Sequence, residues 1–165
     1  STEENKEVGG ALMRYITKPI VLGKDNDAED LVVYVTAYKP VGTDIAVYAK
    51  VLNNEDGEPF KDKSYSLLTK VNSDSVISDS INVNDHKEYE YGFSANTDGQ
   101  NFLGTAGANT FARLNSSDSN IVAYEDSVGG VYNGFKTFSI KIVMTSTGTN
   151  VVPTVKNMRA IALQI

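Results

Sequence analysis

The 165-residue chain has no cysteine and no tryptophan, and it has one histidine and four prolines. Without cysteine there is no disulfide framework and no thiolate chemistry, and composition says nothing of the redox compartment. With one histidine, imidazole chemistry is confined to His86. No apolar run approaches the ~20 residues that a membrane-spanning helix needs. The start, Ser1 to Glu7, is acidic and polar, the reverse of the basic and then apolar pattern of a secretory leader. It also lacks Met, so the chain reads as a processed product or, preferably, as a fragment of a longer protein. Basic residues are outnumbered, 15 against 21 acidic ones, for a net charge of −6. A phosphate backbone is repelled by that balance, and the basic residues are scattered, so no nucleic-acid partner is expected.

What is present is β-forming sequence. The hydrophobic share is 41% and the charged share 22%, a globular balance. A chain of this length buries roughly 70% of its unfolded surface and can hold one core without staples. Ser1 to Gly10 reads as a solvated arm, with a single domain over 11–165. Arg14 to Leu22 is a strand candidate whose Pro19 implies an edge or a bulge. Leu31 to Tyr38 is the clearest strand, apolar on both faces and therefore central. Asp44 to Leu52 follows after a short Pro/Gly connection, and a hairpin is the natural pairing of the two.

Phe60 to Val71 is ambiguous between a helical turn and an irregular edge. Val76 to Val83 and Glu88 to Ser94 alternate as strands. Thr110 to Leu114, Ile121 to Glu125, Thr137 to Met144 and Met158 to Ile165 complete the set. Phe138, Ile140, Ile142 and Met144 repeat with period two and should share a face. Ala95 to Ala108, with three glycines, reads as a long loop. Eight or nine short strands imply an all-β, mainly antiparallel β-sandwich or jelly roll with long loops and at most one short helix.

Candidate chemistry is sparse. His86 lies in the turn Asn84-Asp85-His86-Lys87, and a Ser/His/Asp arrangement would need a nucleophile elbow, but no G-x-S-x-G occurs. Asp25, Asp27, Glu29 and Asp30 crowd one turn in the manner of a calcium loop. Such a loop also requires Gly at its sixth position and Glu at its twelfth. Counted from Asp25, those positions hold Asp30 and Thr36. A second loop, Asn54-Glu55-Asp56-Gly57, places its Gly correctly but has Leu52 first and Lys63 twelfth. Neither loop qualifies alone; a solvated turn is the favoured reading, and a calcium site built by two loops is the alternative. Asn115-Ser116-Ser117 matches a glycosylation acceptor, a frequent chance match. Tyr34, Tyr38 and Tyr48 fall on the second faces of the two clearest strands, where they form either a second core layer or a sugar-stacking surface. No catalytic, cofactor-binding or metal-ligating residue is assigned, and no cofactor is expected.

Three stretches, in order, carry a resemblance. In the first, Arg14 to Tyr65, a strand ending T-x-x-I-x-L leads into an acidic DAxDL turn. A strand ending AY-x-P-x-GTDI, a VY-x-K-x-L strand and a PF after the loop follow. The second is KEYEYGF, Lys87 to Phe93. The third, Gly134 to Leu163, has F-x-x-F-x-IKIV, then VP, then RAIAL. Together they resemble a β-rich module of large virion structural proteins of contractile-tailed bacteriophages, including cyanophages. The departures are in the turns: GKDND stands where an ADGFD-like turn is more usual, and Thr154 to Asn157 precede the arginine where a basic–acidic pair is commoner. The resemblance implies a non-enzymatic tail or baseplate component, located in the virion, whose partners are other virion proteins or further copies of itself. A glycan- or host-receptor-binding domain of a fibre or capsid decoration is the alternative expectation.

Overall fold

The computed structural model describes residues 11–23, 25, 27–71, 76–93, 111–113, 121–148 and 151–164. The expected arm over 1–10, the loop over 95–108 and the acceptor triplet Asn115-Ser116-Ser117 lie outside them. The described chain is all-β and antiparallel. Its strands are β1 (Ala11–Ile16), β2 (Ile20–Val21), β3 (Asp30–Tyr38), β4 (Thr43–Leu52), β5 (Ser66–Leu67), β6 (Thr69–Lys70), β7 (Lys87–Gly92), β8 (Phe111–Arg113), β9 (Val122–Glu125), β10 (Val131–Asn133), β11 (Thr137–Ser146) and β12 (Thr154–Leu163). The excess over eight or nine comes from the short β2, β5, β6 and β10. A single 3-10 turn, Phe60–Asp62, is the helical content of the ambiguous segment; the rest of that segment forms β5 and β6.

Two sheets face each other. One has the order β1-β11-β4-β5, with β2 also on β11, and the other β12-β3-β7-β6; a third, small sheet runs β10-β9-β8. The expected β3–β4 hairpin does not form. β3 pairs with β12 and β7, and β4 pairs with β11 and β5. Pro40, Val41 and Gly42 instead carry the chain from one sheet to the other. Gly42 takes φ +88°, a left-handed conformation natural to glycine, and Thr43 N–H closes the turn on Pro40 O at 3.2 Å.

The interior follows from strand alternation. Leu31, Val33, Val35 and Ala37 of β3, and Ile45, Val47, Ala49 and Val51 of β4, are fully buried. The period-two set of β11 lies opposite β4 in register: Phe138 by Val51, Ile140 by Ala49, Ile142 by Val47 and Met144 by Ile45. Tyr89, Tyr91 and Phe93 complete one cluster drawn from both sheets. Tyr91 spans that interior, its hydroxyl donating to Ile45 O at 3.0 Å.

The Arg14 to Leu22 candidate breaks at Thr17–Pro19, and its two halves, β1 and β2, both pair with β11. Val76 to Val83 is not a strand. Two of its N–H groups are taken by nearby side chains: Asp79 N–H by Asp85 Oδ2 (2.7 Å) and Ile81 N–H by Asp79 Oδ1 (3.0 Å). Short polar side chains of this kind compete with a strand ladder.

Gly134, at φ +76°, sits where Ala28 and Phe135 exchange both backbone hydrogen bonds, and a Cβ there would lie 2.7 Å from Ala28 O. Gly134→Ala should therefore destabilise the domain by about 1–3 kcal/mol, measured by urea denaturation. An unchanged midpoint would refute this reading of the contact.

Candidate functional site

The acidic turn does not converge into a cation site. Asp25 is exposed at φ +65°, and buried Asp30 turns its Oδ1 onto the N–H of Leu31 at 2.8 Å. Asp27 and Glu29 border an open polar hollow of about 470 Å³ together with Asn133 and Gln164. Among the described residues, the carboxylates that do meet are Asp56, Glu58 and Asp126, from two loops. The second loop weighed above thus contributes two of the three, and Asp126 was not singled out from sequence.

A cation already stands among them. Lys63, in the twelfth position that disqualified this loop as a calcium site, places Nζ 2.7 Å from both Asp56 Oδ2 and Glu58 Oε1. Its side chain is 3% exposed and that of Asp56 0%. Tyr124, buried, donates its hydroxyl to Asp56 Oδ2 at 2.7 Å and accepts from Asn53 N–H at 2.8 Å. Glu58 holds the opposite turn through the N–H of Ser127 at 3.1 Å and through the Ser127 hydroxyl. Asp126 closes its own turn on the N–H groups of Val128 (3.0 Å) and Gly130 (2.7 Å) and accepts from the Tyr132 hydroxyl at 3.1 Å.

Burial by itself would discharge Lys63, but the hydrogen bonds to Asp56 and Glu58 outweigh it and its pKa is raised. Glu58 is held at about 2 by its hydrogen bond from Lys63 and then by Ser127. Burial pushes the Tyr124 hydroxyl up. The three carboxylates could ligate a hard cation by their chemistry, but the ammonium stands between two of them. The arrangement is a clasp joining the 53–63 loop to the β9–β10 turn.

A second charged assembly lies on the outer face of the first sheet. Lys50 and Lys141 are nearly buried, and the Tyr65 ring stands close to both: its centroid is 5.0 Å from Lys50 Nζ and 4.6 Å from Lys141 Nζ. Phe60 and Tyr48 flank them at 4.6 and 4.9 Å. Such cation–π contacts replace part of the lost hydration. Burial and then the charge of Lys141 lower the pKa of Lys50, opposed by Asp62. The Tyr65 hydroxyl and Ser139 Oγ lie 3.0 Å apart, and Ser139 donates to Thr17 O at 2.9 Å. Strand alternation puts Lys50 on the same face as Tyr48, but nothing in the sequence signals that the face is covered.

The tyrosine surface is not assembled. Tyr48 belongs to the first sheet and lies beneath Lys141; Tyr34 and Tyr38 belong to the second. Tyr38 is buried and donates to Ser80 O at 3.2 Å, and Tyr34 carries the Arg159 guanidinium 4.6 Å above its ring. His86 is partly exposed, with Nδ1 3.1 Å from Asn84 O within its own turn. Asp85 beside it accepts from Asp79 N–H and from Lys87 at 3.1 Å, which hold its pKa low. Among the described residues, no serine hydroxyl is hydrogen-bonded to His86.

A further concave feature among the described residues is apolar. A cleft of about 480 Å³ opens between β1 and β12, lined by Met13, Tyr15, Ile142, Met144, Val155 and Met158 among others. No protein-family profile, no curated protein and no solved structure matches the chain.

Two outcomes test the clasp. Lys63→Met leaves two carboxylates facing each other, one fully buried, and should cost about 3–5 kcal/mol in chemical denaturation. Because Glu58 is depressed from 4.5 to about 2 on folding, its contribution is present above pH 4.5 and lost as pH falls towards 2. The thermal midpoint should fall across that window, and Glu58→Gln should flatten the fall; the same slope in both proteins would refute the assignment.

Proposed function

We propose that this domain is a non-enzymatic structural module of a tailed-phage virion, placed in the tail or baseplate and held there by protein–protein contacts. The observation that carries the reading is the β1–β12 side of the sandwich. Two edge strands there leave apolar side chains open to solvent beside an apolar cleft, with Met13 59% and Tyr15 54% exposed. Apolar surface left open in this way suits contact with another protein. The resemblance of Arg14 to Tyr65, Lys87 to Phe93 and Gly134 to Leu163 to phage virion modules supports the virion setting.

The charged groups favour architecture over chemistry. Lys63, Asp56, Glu58 and Asp126 are occupied with one another and with loop backbone, and Asp85 is tied into its own turn. A glycan-binding surface built on Tyr34, Tyr38 and Tyr48 draws no support from their separation onto two sheets.

Immunogold electron microscopy of particles, with an antibody raised against this domain, should place label on the tail or baseplate. Purified particles that carry no label would overturn the reading.

A further inference from the structure

Lys50 of β4 and Lys141 of β11 stand on the outer face of the first sheet, where register sets Lys50 opposite Ser139 and Tyr48 opposite Lys141. The two lysines are therefore diagonal neighbours, roughly 7–8 Å apart along the sheet. They are only 8% and 5% exposed. Phe60 and Tyr65 lie against the Lys50 amine, and Tyr48 and Tyr65 against that of Lys141. Other nearly buried lysines have carboxylates beside them: Lys63 has two at 2.7 Å, and Lys39 has Asp44 at 4.0 Å. Among the described residues, no hydrogen bond or ion pair reaches the Lys50 amine.

The titratable groups that face Lys50 are Lys141 from β11, Asp62 from the 3-10 turn, Tyr48 from its own strand and Tyr65 above it. Two effects work against a charge at this position. Burial strips water from the ammonium, and the charge of Lys141 repels it; both lower the pKa, and the pull of Asp62 is the weaker, opposing influence. A lysine kept dry beside a second cation holds more of its free amine at a given pH, and the free amine is the nucleophile.

The surroundings narrow the electrophile. The covering rings of Phe60 and Tyr65 favour a very small reagent, and the neighbouring ammonium favours a product that carries negative charge. Carbon dioxide meets both conditions. We infer that Lys50 is a carbon dioxide acceptor, its Nζ forming a carbamate beside Lys141. The amine lone pair attacks the carbon of CO2, and an N–C bond forms as one C–O π bond breaks. The electron pair of that π bond stays on oxygen, and one N–H proton leaves to solvent. Each cycle thus takes up one CO2 and releases one proton, with no oxidant or reductant. A like-charged pair becomes a pair of opposite charge in a poorly hydrated place, where such attraction is strongest. The site goes beyond the virion reading and does not depend on it.

The test equilibrates the folded domain with isotopically labelled bicarbonate at about pH 8, where ordinary lysines are still protonated. Carbamates are trapped by ethylation with triethyloxonium ion and located by peptide mass spectrometry. A dipeptide with a free α-amine checks the trapping, and the exposed Lys18, Lys61 and Lys156 are the internal comparison. The label is expected on Lys50 and not on those three, and it should disappear when the chain is unfolded in urea at the same pH. Lys50→Arg should abolish it. Lys141→Met, with its fold checked by circular dichroism, should reduce occupancy of Lys50 several-fold, while Lys141→Arg, which keeps the cation, should retain it. Label on Lys50 no greater than on the exposed lysines, equal label after unfolding, or undiminished label in folded Lys141→Met would each overturn the inference.

Discussion

Alternate side chains of an extended strand point to opposite sides, and β3, β4, β7 and β11 use that rule to fill one shared interior. Leu31, Val33, Val35 and Ala37 project from one sheet, and Ile45, Val47, Ala49 and Val51 from the other. At ~25 cal/mol per Å² of apolar surface, burial of this kind is the main force holding sheets face to face. The remaining features attach to it. The small third sheet contributes Val122 and Tyr124 to the same cluster, and Tyr91 ties the two faces together through the Ile45 carbonyl. A one-residue slip in β11 would turn Phe138, Ile140, Ile142 and Met144 outward together, so the β4–β11 register is fixed by the core.

Charge is used inside this protein as connection. The clasp around Lys63 joins a turn-rich loop to the β9–β10 turn, and Tyr65 lies between two lysines on the outer face of the first sheet. Both places take cations out of water, which is costly unless the lost hydration is replaced. At Lys63 carboxylates replace it; at Lys50 and Lys141 aromatic faces contribute. The consequence is that β11 is buried on both sides along most of its length, although only one side is apolar by pattern.

The strands that build the core were legible because their alternation is strong and long. Their partners were not. A short connection containing Pro40 and Gly42 looks the same whether the next strand turns back in the same sheet or crosses to the facing one, and the long-range partners β11 and β12 decide between those outcomes. Val76 to Val83 alternated acceptably, but Asp79, Asn82 and Asp85 captured local N–H groups. Of the clasp, Asp56 and Lys63 were both noticed, the lysine as a defect in a calcium loop. Its role depended on Glu58, Tyr124 and Asp126, which only the fold brings near. The cleft between β1 and β12 had no signature along the chain, since neither strand shows from sequence that the other stands opposite it.

The route from β3 across Pro40–Gly42 into β4 also bears on how the chain reaches this shape. These two strands leave synthesis side by side, yet in the fold they do not pair with each other. Thr43 must wait for Ser146, and Tyr38 for Thr154. Contacts so distant in sequence are slow to form because the loop must close before any pairing rewards it. The most apolar stretch of the first third, LVVYVTAY, therefore spends its early life without its partner β12, which lies more than a hundred residues further on.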